Sequence, residues 1–310
     1  NVDKKGVLVY NSSPYKMSGL VSFEDKEYFA KDVPAFGWRV IDKDEAEANK
    51  AVTALIDENS VRMENDFYII SLDKDANITS LYDKINDREV LKKGCKGNVI
   101  QAFDDHPKFC DNWEISNYFE EKMWEVTKAD SVKVTAVDKH KASIEVIRSF
   151  SKSGIKQVIT IYAESPRIDF SNDIDWQDHH VLLKAAFPVD VVADNATYEI
   201  QFGSLQRPTH KNTSWDEARF EVCAQKWADL SEDGYGVSLL NDCKYGYDIH
   251  DGVMRITMLR AGTEPNPNAD IGRHTFTYSL MPHGGDWRQA ETVRHSYELN
   301  QPLKAYKASG

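Results

Sequence analysis

The chain has 310 residues, of which 41% are hydrophobic, and this is enough to bury one large core or one core with a small satellite domain. Its formal net charge of −12 excludes nucleic acid and anionic membranes as favoured partners, because both would repel an acidic surface. The longest apolar stretch, residues 181–192, is interrupted by Lys184, Pro188 and Asp190, so no transmembrane segment is predicted.

The cysteines are scattered along the chain and form no CxxC pair, which is typical of free thiols in a reducing compartment. We therefore predict a cytoplasmic protein without a disulfide scaffold. The four residues are Cys95, Cys110, Cys223 and Cys243.

Apolar and polar residues alternate with a period of two at the start of the chain. This pattern predicts strands over residues 6–11 and 19–23, and a third within residues 33–41 that begins after Pro34. Residues 44–51 are mostly charged and helix-favouring, and we place a soft boundary there. The sequence thus predicts a small β unit over residues 1–55, followed by the main body over residues 56–310.

A hairpin is predicted next, with strands over residues 67–72 and 78–82. Its connection begins like a calcium loop, with Asp73, Asp75 and Asn77 at alternate positions. However, Ile78 stands where such a loop needs glycine, and Lys84 stands where it needs glutamate. The motif therefore indicates a hairpin turn rather than a metal site.

After a looser, aromatic-rich stretch over residues 94–125, strands follow one another with few interruptions. Only residues 287–299 have a helical period. More than ten strands without βαβ alternation predict an all-β protein built as a large antiparallel sandwich. The predicted strands cover residues 132–137, 143–150, 157–163, 167–176, 181–191, 197–202, 219–222, 236–240, 253–259 and 274–281.

The strand over residues 167–176 has two chemically different faces. Its apolar face carries Ile168, Phe170, Ile174 and Trp176, whereas Arg167, Asp169, Asp173 and Asp175 line the other face. A row of carboxylates indicates a sheet whose outer face is wet. Such a face is either simply solvated or part of a concave sugar-binding surface.

Two polar, aromatic segments are candidates for binding. Residues 206–216 form a predicted loop that is rich in hydrogen-bonding groups and ends near Trp215, and residues 241–248 form a second cluster after a buried strand. Amides, carboxylates, guanidinium groups and imidazoles bind sugar hydroxyls, while aromatic rings pack against their C–H faces. The alternative is an internal network that only fixes the loops.

Catalytic motifs are missing from the sequence. It contains no GxSxG nucleophile motif, phosphate loop or dinucleotide fingerprint, and no HxxxH or HExxH zinc motif. His179 and His180 are adjacent, so on a strand they would point to opposite faces. We predict no catalytic residue and no metal site within this chain.

Seven runs of sequence resemble the carboxy-terminal region of glycoside hydrolase family 38, the α-mannosidases, and particularly its bacterial and cytosolic branch. The two longest cover residues 196–216 and 218–248, and they contain the most specific motifs, RPTHKNTSWD at residues 207–216 and LLNDCKYGYD at residues 239–248. The others are VPAFGWRVI (33–41), DANITSLYDK (75–84), SPRIDFSNDIDW (165–176), LLKAAFPVDV (182–191) and PHGGDW (282–287).

This resemblance implies a β-supersandwich like that of galactose mutarotase, preceded by a small β domain. It implies a parent enzyme that cleaves α-linked mannose with retention of configuration. The zinc, the nucleophile and the acid/base carboxylate of such an enzyme lie in an amino-terminal catalytic domain, and nothing in this chain matches that domain. We therefore expect a chain trimmed at both ends. Its expected partners are the catalytic domain of the same polypeptide and a mannose-containing glycan.

Within such an enzyme, this region would support the catalytic domain and line part of its active site. The candidate residues for contact with substrate or with the neighbouring domain are Arg207, His210, Asn212, Trp215, Asp242, Tyr245, Tyr247, Arg260 and Arg273. A stand-alone glycan-binding module is the alternative. A mutarotase-like isomerase is a remote third possibility that rests on fold analogy alone.

Overall fold

The computed structural model describes residues 6–41 and 52–308. The charged segment 44–51, which was predicted to favour a helix, lies outside these residues. Two short helices, α1 (Ser214–Glu217) and α2 (Thr292–Asn300), and a 3-10 turn at Phe119–Glu121 accompany 25 strands within the described residues. The all-β prediction is confirmed.

The strands are short in the first third of the chain and longer afterwards. The first nine are β1 (Gly6–Tyr10), β2 (Met17–Phe23), β3 (Lys26–Val33), β4 (Trp38–Ile41), β5 (Thr53–Ile56), β6 (Ser60–Glu64), β7 (Tyr68–Asp73), β8 (Ile78–Asp83) and β9 (Arg88–Glu89). The next eight are β10 (Val99–Asp104), β11 (Met123–Glu125), β12 (Ser131–Val137), β13 (Lys141–Phe150), β14 (Ser153–Tyr162), β15 (Ile168–Trp176), β16 (Val181–Pro188) and β17 (Asn195–Ile200). The last eight are β18 (Gly203–Pro208), β19 (Val222–Cys223), β20 (Trp227–Glu232), β21 (Tyr235–Asn241), β22 (Gly246–His250), β23 (Val253–Arg260), β24 (Gly272–Gly284) and β25 (Lys304–Ala308).

Two antiparallel sheets form the main body. The nine-stranded sheet has the order β12-β13-β14-β15-β24-β21-β20-β17-β18, and the six-stranded sheet has the order β11-β10-β16-β23-β22-β19. The ring of Phe187 in the six-stranded sheet lies 5.5 Å from that of Phe170 and 6.1 Å from that of Tyr278, both in the nine-stranded sheet. The sheets therefore pack face to face around one apolar core, to which the five-stranded sheet β5-β6-β7-β8-β9 also contributes.

The amino-terminal strands have a separate small core. Strand β1 pairs with β4 on one side and with the last strand, β25, on the other, and β2 pairs with β3. Val7, Val9, Val21 and Leu303 are among the buried residues of this cluster. The division at residue 55 stays a prediction; the structure adds that β5 pairs with β6 and that β25 closes the amino-terminal sheet.

The predicted hairpin over residues 67–82 is confirmed. Strands β7 and β8 pair antiparallel, and the Asp73 carboxylate accepts hydrogen bonds from the backbone N–H groups of Asp75 and Asn77, each at 3.0 Å. The aspartate thus stabilises a turn, as the sequence indicated.

The strand predicted after Pro34, within residues 33–41, is confirmed but begins later than expected. Strand β3 ends at Val33, and β4 begins only at Trp38. Pro34 has no N–H to donate, and Phe36 has a positive φ of 48°, so the chain turns between them instead of continuing the ladder.

Three other predicted elements need correction. The stretch 94–125 was expected to be loose, but it contains β10, an interior strand of the six-stranded sheet. The strand predicted at 219–222 reduces to β19, because only residues 222 and 223 reach a pairing partner. The helix predicted over 287–299 begins later, at Thr292, after a residue, Glu291, whose φ is +52°.

Alternation in strand β15 places its apolar face as predicted. Ile168, Phe170, Ile174 and Trp176 are all buried. On the other face Asp175 is exposed and Asp173 is partly exposed, but Asp169 is buried. The exception has a non-local cause: helix α2 and the β2–β3 hairpin cover this end of the sheet.

No helix within residues 6–41 and 52–308 is both long enough and apolar enough to cross a membrane.

The packing of Phe170 leads to a stability prediction. Its side chain is fully buried and stacks on Tyr278 with a centroid distance of 5.1 Å, so Phe170→Ala should lower the free energy of unfolding by about 3–5 kcal/mol. Urea titration measures this change. The matched control is Phe109→Ala, whose ring is mostly exposed and whose loss should cost less than about 0.5 kcal/mol. Equal losses for the two variants would contradict the assignment of the core.

Candidate functional site

The segment over residues 206–216 was predicted to be a loop, but its first three residues still belong to the nine-stranded sheet. Arg207 and Pro208 end strand β18, which is the edge strand of the sheet. The rest of the segment is not all loop, because it ends in helix α1. Thr213 and Asp216 form a capping box: the Thr213 hydroxyl accepts a hydrogen bond from the Asp216 N–H at 3.2 Å, and the Asp216 carboxylate accepts one from the Thr213 N–H.

The capping box fixes the direction of the side chains around it. Asp216 is buried, and its carboxylate lies 3.2 Å from the Arg219 guanidinium and 3.6 Å from Nδ1 of His210. Trp215, its neighbour on α1, is 78% exposed, and Asn212 is also exposed. The segment therefore presents an indole, an imidazole and an amide on a fixed turn.

Arg207 lies beneath this surface. Its guanidinium carbon is 4.7 Å from the centroid of the Tyr198 ring, a cation–π contact. Its Nη1 atom is buried and has no hydrogen-bond partner among residues 6–41 and 52–308. Arg207 thus supports the segment from below rather than projecting from it.

A network of charged side chains lies on the outer face of the six-stranded sheet, next to the segment. Lys184 is fully buried, and its ammonium group donates to Asp248 at 2.7 Å and to Glu221. Arg255 donates to Asp248 at 2.5 Å and also pairs with Glu120. We call these five residues the ion-pair network.

The ion-pair network reaches the surface segment through Glu120. This carboxylate accepts from Lys211 at 3.2 Å as well as from Arg255. Burial, the largest influence, raises the pKa of Glu120, but Arg255 and Lys211 outweigh it and hold the pKa below its usual value. The network thus joins the 206–216 segment, the 3-10 turn and the sheet by charged hydrogen bonds.

The buried lysine is charged. Burial favours its neutral form most strongly, but the carboxylates of Asp248 and Glu221 more than offset this and raise the pKa of Lys184. The close packing also explains Gly246 on β22. A Cβ atom added there would lie 2.5 Å from the Glu221 carboxylate, so only glycine lets this carboxylate approach the strand.

The other predicted site residues are spread over both sheets. Tyr247 is fully buried, and its hydroxyl accepts a hydrogen bond from the Asn241 amide, so it lies in the core. Tyr245, in the turn before β22, is mostly exposed. The Asp242 carboxylate accepts from the N–H of Thr277 at 3.0 Å and ties this turn to β24.

The two remaining arginines lie on different sheets. Arg260, at the end of β23, bonds the Asp105 carboxylate and the carbonyl of Glu114, and so fastens the segment that follows β10. Arg273, on β24, forms a bidentate pair with Asp173 at 2.6 and 2.7 Å on the open face of the nine-stranded sheet. The structure therefore brings Arg207, His210, Asn212 and Trp215 together but places Arg273 elsewhere.

A buried Ser-His-Asp cluster lies on the nine-stranded sheet beneath α2. Nε2 of His283 lies 2.8 Å from the Asp229 carboxylate and 3.2 Å from the Ser238 hydroxyl, which also meets Thr292 of α2 at 2.8 Å. A hydrolytic triad needs the two ring nitrogens to contact the acid and the nucleophile separately. Here one nitrogen contacts both partners, and all four side chains are buried. The cluster therefore anchors the helix.

Among the described residues, no group of three or more His, Cys, Asp or Glu side chains is placed to hold a metal ion. The four cysteines are free, and Cys223 and Cys243 are exposed.

The ion-pair network was missed at the sequence level. One signal was available: Lys184 stands alone in the apolar run LLKAAF, which forms a strand with both faces buried. A lysine in such a position needs carboxylate partners, but their identity depends on the strand order β16-β23-β22-β19, which sequence spacing does not reveal.

Comparison with known proteins identifies the family. Residues 63–268 match the model for the glycosyl hydrolases family 38 C-terminal domain. The chain therefore belongs to this family, as its sequence motifs indicated. The match includes the whole of the 206–216 segment and every member of the ion-pair network.

Similar proteins include enzymes named α-mannosidase. The chain is 40% identical over 253 residues to alpha-mannosidase 2C1 of Homo sapiens. The aligned region covers 81% of this chain and 24% of that protein. It is 38% identical over 249 residues to the alpha-mannosidase of Saccharomyces cerevisiae, covering 76% of this chain and 23% of that protein. The chain thus spans about a quarter of the length of these relatives.

A crystal structure of a glycosyl hydrolase family 38 protein from Enterococcus faecalis has the same fold. It superposes with a TM-score of 0.73 at 15% identity and covers 99% of this chain and 42% of that one.

The network leads to a prediction about stability. Lys184→Met removes a buried ammonium group and leaves Glu221 without its cation, so the free energy of unfolding should fall by about 3–5 kcal/mol. Urea titration measures the change. The control is Lys156→Met, because Lys156 is half exposed and its partner Glu145 keeps a second cation, Lys133, so the loss should be small. If both variants were equally stable, the network would not hold this face together.

Proposed function

We propose that this chain is the non-catalytic carboxy-terminal part of an α-mannosidase, and that it supports and partly lines the active site of a catalytic domain in the same polypeptide. The observation that carries the proposal is the 40% identity to an enzyme named alpha-mannosidase, of which the chain covers only 24%. Three quarters of such an enzyme are thus available to supply the catalytic groups.

The 206–216 segment is the surface that we assign to this contact. Trp215 exposes an indole that finds no cover within the described residues, and His210 and Asn212 add polar groups beside it. Aromatic side chains on a rigid turn, surrounded by hydrogen-bonding groups, are suited to binding either a sugar or a neighbouring protein surface. The ion-pair network beneath would hold this surface in place while the substrate is processed.

We propose further that the parent enzyme is zinc-dependent and retaining, with its zinc bound outside this chain. The described residues offer no ligand set that fits the ion, and no catalytic carboxylate is assigned to them. Zinc analysis of the full-length protein and of this chain tests the assignment. Stoichiometric zinc in this chain alone would contradict it.

A cytoplasmic location is part of the proposal. Its support is the set of four free cysteines, two of them exposed, which suits a reducing compartment. Secretion of the tagged full-length protein would contradict it.

In the full-length enzyme, Trp215→Ala and His210→Ala should each reduce kcat/KM for an aryl α-mannoside at least tenfold, about 1.4 kcal/mol of transition-state stabilisation. In this chain alone Trp215 is 78% exposed and the His210 side chain is 40% exposed, so the free energy of unfolding should change by less than about 0.5 kcal/mol.

Trp38→Ala is the matched control, since Trp38 is also an exposed tryptophan but belongs to β4 of the amino-terminal sheet. It should leave kcat/KM unchanged. Normal kinetics for the segment variants, combined with a large loss of stability, would assign the segment a purely structural role.

The chain by itself should not hydrolyse an aryl α-mannoside, even with zinc supplied, because it offers neither a metal site nor a placed pair of catalytic carboxylates among its described residues. The assay is release of the aryl group, with the full-length enzyme as the positive control. Measurable turnover that co-purifies with the chain would overturn the division of roles.

A further inference from the structure

A pocket of about 280 Å³ lies far from the 206–216 segment, on the outer face of the nine-stranded sheet. Its floor is the sheet itself, at strands β14, β15 and β24. One wall is the β2–β3 hairpin and the other is the end of α2 with the residues that lead into β25. Its volume is close to the lower limit for small-molecule sites, so only a small ligand fits.

The walls of the pocket are largely apolar. Leu20 and Phe29 line it from the hairpin, and Leu299, Pro302 and Leu303 line it from the opposite side. The ring of Phe29 stacks on His140, with centroids 5.7 Å apart, and is held in a fixed orientation.

The floor is polar and has hydrogen-bonding capacity to spare. The hydroxyls of Ser171 and Thr277 lie 3.2 Å apart and bond each other. Two hydroxyl groups carry two hydrogens, and their mutual bond uses only one, so a donor and several lone pairs remain for a ligand. His140 also lines the pocket, but its Nδ1 atom is itself buried and has no hydrogen-bond partner among the described residues.

The charges around the pocket are paired. Asp169 accepts from Arg167 at 3.2 Å, from Tyr162 at 2.9 Å and from Ser279 at 2.5 Å. Glu298 pairs with Arg294 at 3.2 Å and with His295 at 2.9 Å. Burial, with help from the charge of Lys139, lowers the pKa of His140 and favours its neutral form. An anion or cation would therefore find no free counter-charge on these groups.

We propose that this pocket binds a neutral, hydroxyl-rich molecule the size of a single sugar ring. The apolar walls suit the C–H faces of such a ring, and the paired hydroxyls suit its hydroxyl groups. The inference does not depend on the proposed function, because the site belongs to this chain alone. It also gives a role to the wet face of β15, which the sequence left open between solvation and sugar binding.

Ligand-observed saturation-transfer NMR with D-mannose tests the proposal on the 310-residue chain. Binding in the millimolar range is expected. Gly19→Val should abolish it, because a Cβ atom at Gly19 meets only Leu303, at 3.9 Å, and the larger side chain would fill the pocket without disturbing the backbone. The double variant Ser171→Ala, Thr277→Val should weaken binding about tenfold or more.

Gly154→Val is the matched control. Gly154 lies on the same sheet in β14, opposite Asp175, and a Cβ atom there meets open space, so binding should be unchanged. If circular dichroism shows Gly19→Val to be unfolded, the double hydroxyl variant decides alone.

Three results would overturn the proposal. The first is the absence of saturation transfer to mannose, glucose and galactose up to their solubility limits. The second is equal binding by the pocket variants and the control, and the third is tighter binding of mannose 6-phosphate than of mannose. The last would show that the site takes an anion.

Discussion

The face-to-face packing of the two large sheets fixes the position of everything else in this protein. Phe170 and Tyr278 from one sheet meet Phe187 from the other, and none of the three is exposed. Because side chains alternate along a strand, burying one face of each sheet leaves the opposite face outside. Each outer face then has its own chemistry and its own cover.

The outer face of the six-stranded sheet is polar at its centre and must be covered. An unpaired Lys184 there would be very costly, so the carboxylates of Asp248 and Glu221 pair with it. Phe119 of the 3-10 turn lies over its ammonium group at 5.0 Å. Within the described residues, the outer face of the nine-stranded sheet is instead covered by two separate pieces, the β2–β3 hairpin and α2 with the residues before it, and the pocket lies between them. That difference explains why one face holds a closed network and the other an open pocket.

Local patterns in the sequence were sufficient to predict the all-β architecture. Alternation predicted the bounds of the long strands to within a few residues; for example, the strand predicted over residues 253–259 is the observed β23. This worked because the alternating pattern depends only on residues within the same strand. The break at Pro34 also has a local cause. By contrast, Asp169 was expected on a wet face and is buried, since its cover comes from segments more than a hundred residues away in sequence.

The candidate site was only partly accessible to the same reasoning. Residue types in the 206–216 segment indicated a polar, aromatic surface, and the segment does carry exposed Trp215 and Asn212. However, Tyr247 belongs to a similar polar cluster in the sequence and is buried. Its strand, β22, pairs with β23 inside the sheet, with Tyr247 opposite Ile256. Composition shows which chemistry is present, whereas strand pairing decides which groups reach the surface.

The pairing of β1 with β25 has a consequence for the order in which the chain folds. Gly6 pairs with Ala308, so one edge of the amino-terminal sheet is complete only after almost the entire described sequence has been synthesised. Until then β1 carries an open row of backbone donors and acceptors, the kind of edge that recruits strands from other molecules. The strands of the main body pair across shorter separations in sequence, so the main body closes smaller loops and is free to form first. A ribosome-bound chain would thus carry a finished sandwich with an unfinished sheet beside it.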